Sequence, residues 1–317
     1  MPRICITGGA GFIGYHAGIA LKKSGYDVIG FDNFNDYYDP KLKWDRLTEL
    51  NKHDIPVFDF DLKEKHNVEK FMRDRQPDII LHLGAYAGVR HSLEDPDKYI
   101  QNNIIGTHNL IEACQKYNIN KIIYASTSCV MAGNKLPWKE DDKCGYQLNP
   151  YGYTKMTNES QMMASKIPVT VGLRFFTVYG PWGRPDMALF DFTKKIINGE
   201  PIELFNYGRM VRDFTYVDDI VDGIKIVIEN STRCNKLKEV YNIGRGERVQ
   251  LMDFVTHIEK NLGRIADKKL VEKHPADTEE TWSDTNKLQQ LGYNPKISIA
   301  EGVEKFVKWY KSYYKVN

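Results

Sequence analysis

The 317-residue sequence predicts an α/β fold, a doubly wound parallel sheet followed by a smaller C-terminal α/β lobe. Three observations predict it. Short apolar runs alternate with segments of helical period through the first half of the chain. The first run passes through a glycine-rich turn straight into a helix. The runs are nearly continuous in apolar residues, which suits strands covered on both faces.

The elements follow in order. Residues 4–6 read as the first buried strand and 12–23 as a helix that Gly25 ends. Strands follow at 27–31 and 57–60, then a helix at 64–73 and a strand at 79–83. A long helix is expected over 100–117, a strand at 121–125, a helix at 151–164 and a sixth strand at 169–173. Beyond Arg174 the alternation loosens. Glycine and proline cluster at 180–185, which reads as an irregular loop. Helices are expected at 188–198, 217–229, 251–261 and 299–313, with short strands at 202–205 and 240–243. The expected division is a sheet domain over 1–173 and a lobe mainly over 174–317, with 217–244 packing back on the first. In open α/β sheets ligands lie beyond the carboxyl ends of the strands, so the lobe would close over that crevice.

Composition excludes some functions. Lys and Arg total 44 against 42 Asp and Glu, a net charge of +2. Such balance argues against a nucleic-acid partner bound by phosphate neutralisation, though it leaves room for a local basic pocket. Cys5, Cys114, Cys129, Cys144 and Cys234 contain no CxxC pair and no zinc-like spacing to histidine, so no metal is expected. Reduced thiols of a cytoplasmic protein are the simplest reading. No apolar run approaches membrane-spanning length, and Met1-Pro2-Arg3 leads into a strand rather than a signal-peptide core.

Chemistry enters at Thr7-Gly8-Gly9-Ala10-Gly11-Phe12-Ile13-Gly14. Gly8 permits a tight turn, Gly11 admits a pyrophosphate to the backbone, and Gly14 lets the helix pack on the sheet. The helix start offers free N–H groups and the positive end of its dipole. Asp32 ends the next strand near the roughly 20-residue spacing of a Rossmann dinucleotide site. Its carboxylate would accept hydrogen bonds from ribose hydroxyls and repel a 2′-phosphate, so NAD is expected. Asp61 follows the third strand and is either an adenine contact or a solvated strand-end carboxylate.

Tyr151 and Lys155 stand at i and i+4 of a helix and so share a face. An ammonium and a nicotinamide cation near the phenol would lower its pKa, making Tyr151 a base at neutral pH. Ser126, Thr127 and Ser128 end the fifth strand, where hydroxyls can hold a substrate oxygen and relay its proton.

TGxxGxxG, a hydroxyl cluster after strand five and YxxxK, in this order, resemble the extended short-chain dehydrogenase/reductase family. Longer runs narrow the resemblance to its nucleotide-sugar branch and, within it, to the UDP-glucuronate 4-epimerases. These are DNFNDYYDP (32–40), AGVRHSLEDP (87–96), LRFFTVYGPWGRPDMALF (173–190) and FNYGRMVRDFTYVDDI (205–220). The resemblance implies that Tyr151 takes the C4-hydroxyl proton and that Lys155 holds the nicotinamide ribose. It makes Thr127 the catalytic hydroxyl, supported by Ser126 and Ser128. Phe12, Ile13, Leu62 and Leu83 are implied as further cofactor contacts, and Arg90 as a substrate contact. Arg212 would meet the UDP phosphates and Asp277 the uridine ribose. Phe205 either flanks the uracil or packs in the core.

The implied reaction passes through a 4-keto uronic acid, a β-keto acid prone to losing carbon dioxide. Arg184 is the candidate clamp for its carboxylate, or a neighbour of that clamp, because a guanidinium can grip at two points. Thr177 would assist; a solvated loop arginine is the alternative reading of Arg184. A neutral UDP-sugar would give Arg184 nothing to hold, which separates a UDP-glucose or UDP-N-acetylglucosamine epimerase from the uronate enzyme. A non-catalytic NAD sensor of the same fold is a further alternative.

Two departures stand out. Val130-Met131-Ala132-Gly133 replaces the family's VYG, which bears on the sugar-pocket floor. Cys129 occupies the place of a glutamate in related decarboxylases, which argues against decarboxylation, as the missing Asp-Glu pair after Thr127 argues against a dehydratase. By analogy a homodimer is expected, its interface built from the helices at 100–117 and 151–164.

Overall fold

The structure, a computed structural model, describes residues 1–316. Seven parallel strands form the main sheet: β1 (Arg3–Thr7), β2 (Asp27–Asp32), β3 (Val57–Asp59), β4 (Ile79–His82), β5 (Lys121–Thr127), β6 (Val169–Phe175) and β7 (Leu237–Ile243). Their spatial order is β7-β6-β5-β4-β1-β2-β3, so the direction of winding reverses between β1 and β4. That reversal opens a crevice at the carboxyl ends of the two strands, where ligands of such sheets bind.

The two-residue period of the strands divides the core. Ile4 and Ile6 of β1 belong to one buried cluster and Cys5 to the other. Ile79 and Leu81 of β4 go with the first, and Ile80 with the second. Helices α1 (Phe12–Lys23), α2 (Lys41–Asn51), α3 (Lys65–Arg75), α4 (Gly106–Lys116) and α5 (Pro150–Ala164) link the strands up to β6. The larger cluster continues without a break into α6 (Ala188–Asn198), α7 (Val217–Thr232), α8 (Leu251–Leu262) and α9 (Ile299–Tyr314). Three two-stranded ribbons complete the later part: Thr177–Tyr179 with Phe214–Tyr216, Val211–Arg212 with Val249–Gln250, and Ile202–Leu204 with Lys268–Leu270.

Two of the differences from the sequence expectation have a traceable cause. The helix expected over 100–117 is a π-helical turn at Ile100–Ile105 followed by α4. The reason lies in Asn103, whose amide brackets the backbone of Tyr86, accepting from its N–H at 2.9 Å and donating to its C=O at 3.0 Å. The same amide donates to Thr154 on α5, and Asn158 of α5 donates to the Asn103 carbonyl. The wider turn aims this side chain into the protein, a device common near functional sites. Helix α2 escapes a periodicity reading because its buried face is Leu42, Lys43, Arg46 and Leu50. Two of those four are charged, so no apolar stripe is visible.

Candidate active site

The cofactor turn is sterically specified. Gly8 has φ +69°, and a Cβ there would lie 2.9 Å from the backbone of Gly84. At Gly14 a Cβ would overlap the Gly8 carbonyl, so α1 can approach the turn only with glycine at that place. Phe12 is buried and Ile13 half-buried behind the turn. Leu83 and Gly84 close its other side, while Leu62 belongs to the second core cluster. Asp32, 7 % exposed, accepts from the N–H of Ala10 at 3.2 Å and of Phe34 at 3.0 Å. Burial raises its pKa, and the nearby Lys43 ammonium opposes that rise. Asp61 accepts from Asn33 at 2.9 Å and so joins the Asp32 loop. A cradle that any Cβ would fill, with a buried carboxylate at its rim, fits a dinucleotide.

Tyr151 and Lys155 both lie on α5, capped by Asn149, whose side chain accepts from the Gly152 N–H at 2.8 Å. Burial pushes the Tyr151 phenol well above its ordinary value. The Thr127 hydroxyl and the Arg184 guanidinium act in the opposite direction. Thr127 and Tyr151 are thus brought together, and the cation that most lowers this phenol is Arg184 rather than Lys155. Lys155 is 2 % exposed, and burial lowers its pKa to about 8 against the partial support of Glu159 one turn on. Ser126 faces elsewhere: its hydroxyl donates to Glu159 at 2.5 Å. Ser128, also buried, opens a short turn whose N-cap is Thr127.

The other predicted residues form two groups. Arg90 donates to Asp277 at 2.7 Å, and its guanidinium lies 3.7 Å over the ring of Phe205. Arg212 donates to the carbonyls of Thr278 and Glu279, and Asp277 offsets its burial. Arg90, Phe205, Arg212 and Asp277 therefore make one cluster, two guanidiniums about a carboxylate with an aromatic ring beside them. Arg184 grips Asp186 at two points, 3.0 and 2.5 Å, and also donates to the Ala87 carbonyl. Its side chain is 19 % exposed. The Thr177 N–H donates to the Asp213 carbonyl. Cys129 is half-buried and within electrostatic reach of Tyr151, Arg212 and Asp277, so it stands where the two groups meet rather than in the core. Met131 packs with Val130, Trp138 and Phe176 in a small separate cluster.

Residues 4–244 match the family described as NAD dependent epimerase/dehydratase. The chain belongs to that family. As an NAD-dependent epimerase it is 43 % identical to Protein CapI of Staphylococcus aureus, over 99 % of each chain. It is 40 % identical to UDP-glucuronate 4-epimerase 4 of Arabidopsis thaliana, over 98 % of this chain and 76 % of that one. A crystal structure of UDP-glucuronic acid 4-epimerase from Bacillus cereus, in complex with UDP-glucuronic acid and NAD, superposes with a TM-score of 0.90 at 36 % identity. That match covers 98 % of this chain and 100 % of the Bacillus chain.

For an epimerase of this family the buried Lys155 has a measurable consequence. Its pKa of about 8 lies below the ordinary 10.5, so above pH 8 the NAD-free protein loses a proton there. If the nicotinamide ribose hydroxyls solvate the ammonium, as the resemblance implies, NAD binding should take that proton back. Affinity for NAD is then expected to fall as pH rises above 8, by at most about tenfold per unit for one linked proton. Titration calorimetry at several pH values reads this directly. A Lys155→Met variant should bind NAD more weakly with a flat profile; an unchanged slope in that variant would assign the proton elsewhere.

Several functional neighbours were not read from the sequence: Lys43, Arg46, Tyr37, Asp186 and the Glu159–Arg174 pair. Lys43 donates to Asn35 at 2.9 Å and is 4 % exposed beside Asp32. The available signal was the spacing of Lys43 and Arg46 three apart, which puts both on one face of a helix. Arg174 is held by Glu159 through two bonds of 2.9 Å, nearly out of solvent. Nothing local in the sequence links those two.

Proposed function

We propose that this chain interconverts UDP-glucuronate and UDP-galacturonate by inverting C4 of the sugar, with NAD as its cofactor. The observation that carries this reading is Arg184, a guanidinium whose field reaches the Tyr151 phenol. The carboxylate of a uronic acid is borne on C5, next to the reacting C4, so acid and reacting hydroxyl need neighbouring partners.

NAD, when bound, would supply a reversible hydride acceptor for C4 of the sugar. The chain's own residues do the rest. Gly8, Gly11 and the start of α1 hold the pyrophosphate through backbone N–H groups. Asp32 and Lys43 hold the adenosine ribose, with Phe12, Ile13, Asp61, Leu62 and Leu83 around the nucleotide, and Lys155 holds the nicotinamide ribose. Tyr151 receives the C4-hydroxyl proton and later gives it back, and the Thr127 hydroxyl orients that oxygen. Arg90 and Arg212 offset the two phosphates, Phe205 flanks the uracil and Asp277 takes the uridine ribose. Arg184, aided by Ser128 and Thr177, holds the carboxylate in the plane of the 4-keto group. Loss of carbon dioxide needs the breaking bond to lie across that plane, so the clamp protects the intermediate. Ser126 supports the site from behind, through Glu159.

One observation favours a second reading. Arg184 already holds a carboxylate, that of Asp186, and a neutral UDP-sugar would leave that pair undisturbed. Incubation of the purified protein with UDP-glucuronate, followed by NMR, separates the two. UDP-galacturonate free of UDP-pentose is the expected product. Turnover of UDP-glucose with none of the uronate would overturn the reading.

The protein is further proposed to act as a homodimer. Leu93, Ile105 and Met163 are 47, 40 and 51 % exposed on elements that pack beside one another. Covering them with a second copy would remove apolar surface from water. A double variant Ile105→Glu, Met163→Glu should halve the mass seen by light scattering; an unchanged mass would place the interface elsewhere. Among the described residues no helix is long and apolar enough to cross a membrane.

A further inference from the structure

Arg46 is the largest fully buried side chain, at 0 % exposure. It sits on α2, outside every motif of the reaction. One terminal nitrogen donates to the carbonyl of Ala10, inside the cofactor turn, at 3.0 Å, and to the Tyr38 hydroxyl at 2.8 Å. The other donates to the carbonyls of Trp182 at 2.6 Å and Gly183 at 3.3 Å. The next residue is Arg184. A single guanidinium thus joins the turn that holds the cofactor to the loop that carries the proposed carboxylate clamp. Its remaining nitrogen, Nε, is buried without a partner. A buried charge with an unsatisfied donor is costly to keep. The bonds to the two loops are what offset that cost.

We propose that Arg46 is a positioning residue: a strut that sets the Arg184 loop against the cofactor turn and thereby fixes the sugar carboxylate relative to the C4 transfer. The inference rests on the uronate reading above. Its physical basis is that the cofactor and the sugar carboxylate are held by separate loops. Hydride transfer and protection of the β-keto acid each depend on their distance and tilt. A displacement of the order of an ångström at a reacting group is enough to cost a large factor in rate. Tyr37 strengthens the same joint, since its hydroxyl donates to Asp186 at 3.1 Å, next to Arg184. Lysine cannot replace the strut, because one ammonium has no planar fork to span two loops.

The test is Arg46→Lys, which keeps the charge, with Tyr38→Phe as a milder variant that removes one hydroxyl and preserves packing. Products from UDP-glucuronate are quantified by NMR as the ratio of decarboxylated to epimerised sugar. In the decarboxylated branch the C5–carboxylate bond breaks. Its electron pair forms the enolate of the 4-keto sugar, a proton from water adds at C5, and the reduced cofactor remains on the protein. We expect kcat to fall by roughly tenfold to a hundredfold in Arg46→Lys. The decarboxylated share should rise several-fold, and Tyr38→Phe should move the ratio the same way by less. The amides of Trp182, Gly183, Arg184, Asp186 and Met187, within 181–187 of the NAD-loaded protein, should exchange hydrogen faster in both variants. A merely structural arginine would lower the folded fraction and leave the product ratio unmoved; that result, or an unmoved ratio in Tyr38→Phe should Arg46→Lys not fold, overturns the proposal. If the unaltered protein fails to turn over the uronate, the uronate reading fails. Faster exchange at 181–187 in the variants would then still establish the strut, and unchanged exchange would remove it.

Discussion

Tyr151→Phe is expected to lower epimerisation by about 10²–10⁴-fold while bound NAD stays in place. The glycine turn, Asp32 and Lys155, proposed above to hold the cofactor, are untouched by the substitution. Phenylalanine keeps the ring, so packing against Tyr99, 6.4 Å between centroids, also survives. Only the proton acceptor goes. The magnitude is large because no other group replaces it. Thr127 is a far weaker base, and the Lys155 ammonium already carries its proton below pH 8. Burial raises the phenol in the NAD-free protein, so its use as a base depends on cations brought near it. Arg184 is one of these, and the nicotinamide is the other that the family's chemistry supplies. The measurement is kcat with UDP-glucuronate beside the NAD content of the purified variant. Full activity would remove Tyr151 from the reaction, and loss of NAD would show that its hydroxyl serves the cofactor instead.

Glu159→Ala is expected to destabilise the fold by about 3–5 kcal/mol, the usual consequence of stripping one partner from a buried ion pair. Glu159 and Arg174 are 7 and 4 % exposed and joined by two parallel bonds. Removing the carboxylate leaves the Ser126 hydroxyl without its acceptor and the guanidinium without its counter-charge, held only by the Glu140 carbonyl and Cys144 Sγ. The same change takes away the anion that supports the Lys155 charge, so the Lys155 pKa should drop further below 8. Chemical denaturation measures the first effect. A downward shift in the pH dependence of NAD affinity measures the second. A loss below about 1 kcal/mol would mean that water reaches Arg174, contrary to its burial. Replacing both partners, as Glu159→Leu with Arg174→Met, should recover much of the stability, since neither charge is then stranded.

The two outcomes depend on different kinds of information. Tyr151 and Lys155 are legible because their relation is local: four residues on a helix suffice. The glycine turn is legible for the same reason, and the overlap at Gly14 shows how little latitude that spacing has. Glu159 and Arg174 stand on different elements, and only the pairing of β5 with β6 beside α5 brings them together. Ser126 illustrates the limit within a motif. It adjoins Thr127 in sequence, but its hydroxyl turns to Glu159, about two turns along α5 from the Tyr151 that Thr127 meets.

The sequence by itself determined the alternation of strands and helices, the cofactor turn and the catalytic helix, because each depends on contacts within a few residues. The family followed from long runs of matching residues. Tertiary structure alone decided which distant groups meet: Arg90 with Asp277, and Arg46 with one loop 36 positions before it and another 136 positions after it. It also broke the expected 100–117 helix and hid α2, in each case because a buried polar side chain, Asn103 or Arg46, finds its partners far along the chain. An unpaired polar group is costly inside a protein, and where its partner lies is set by how the elements pack.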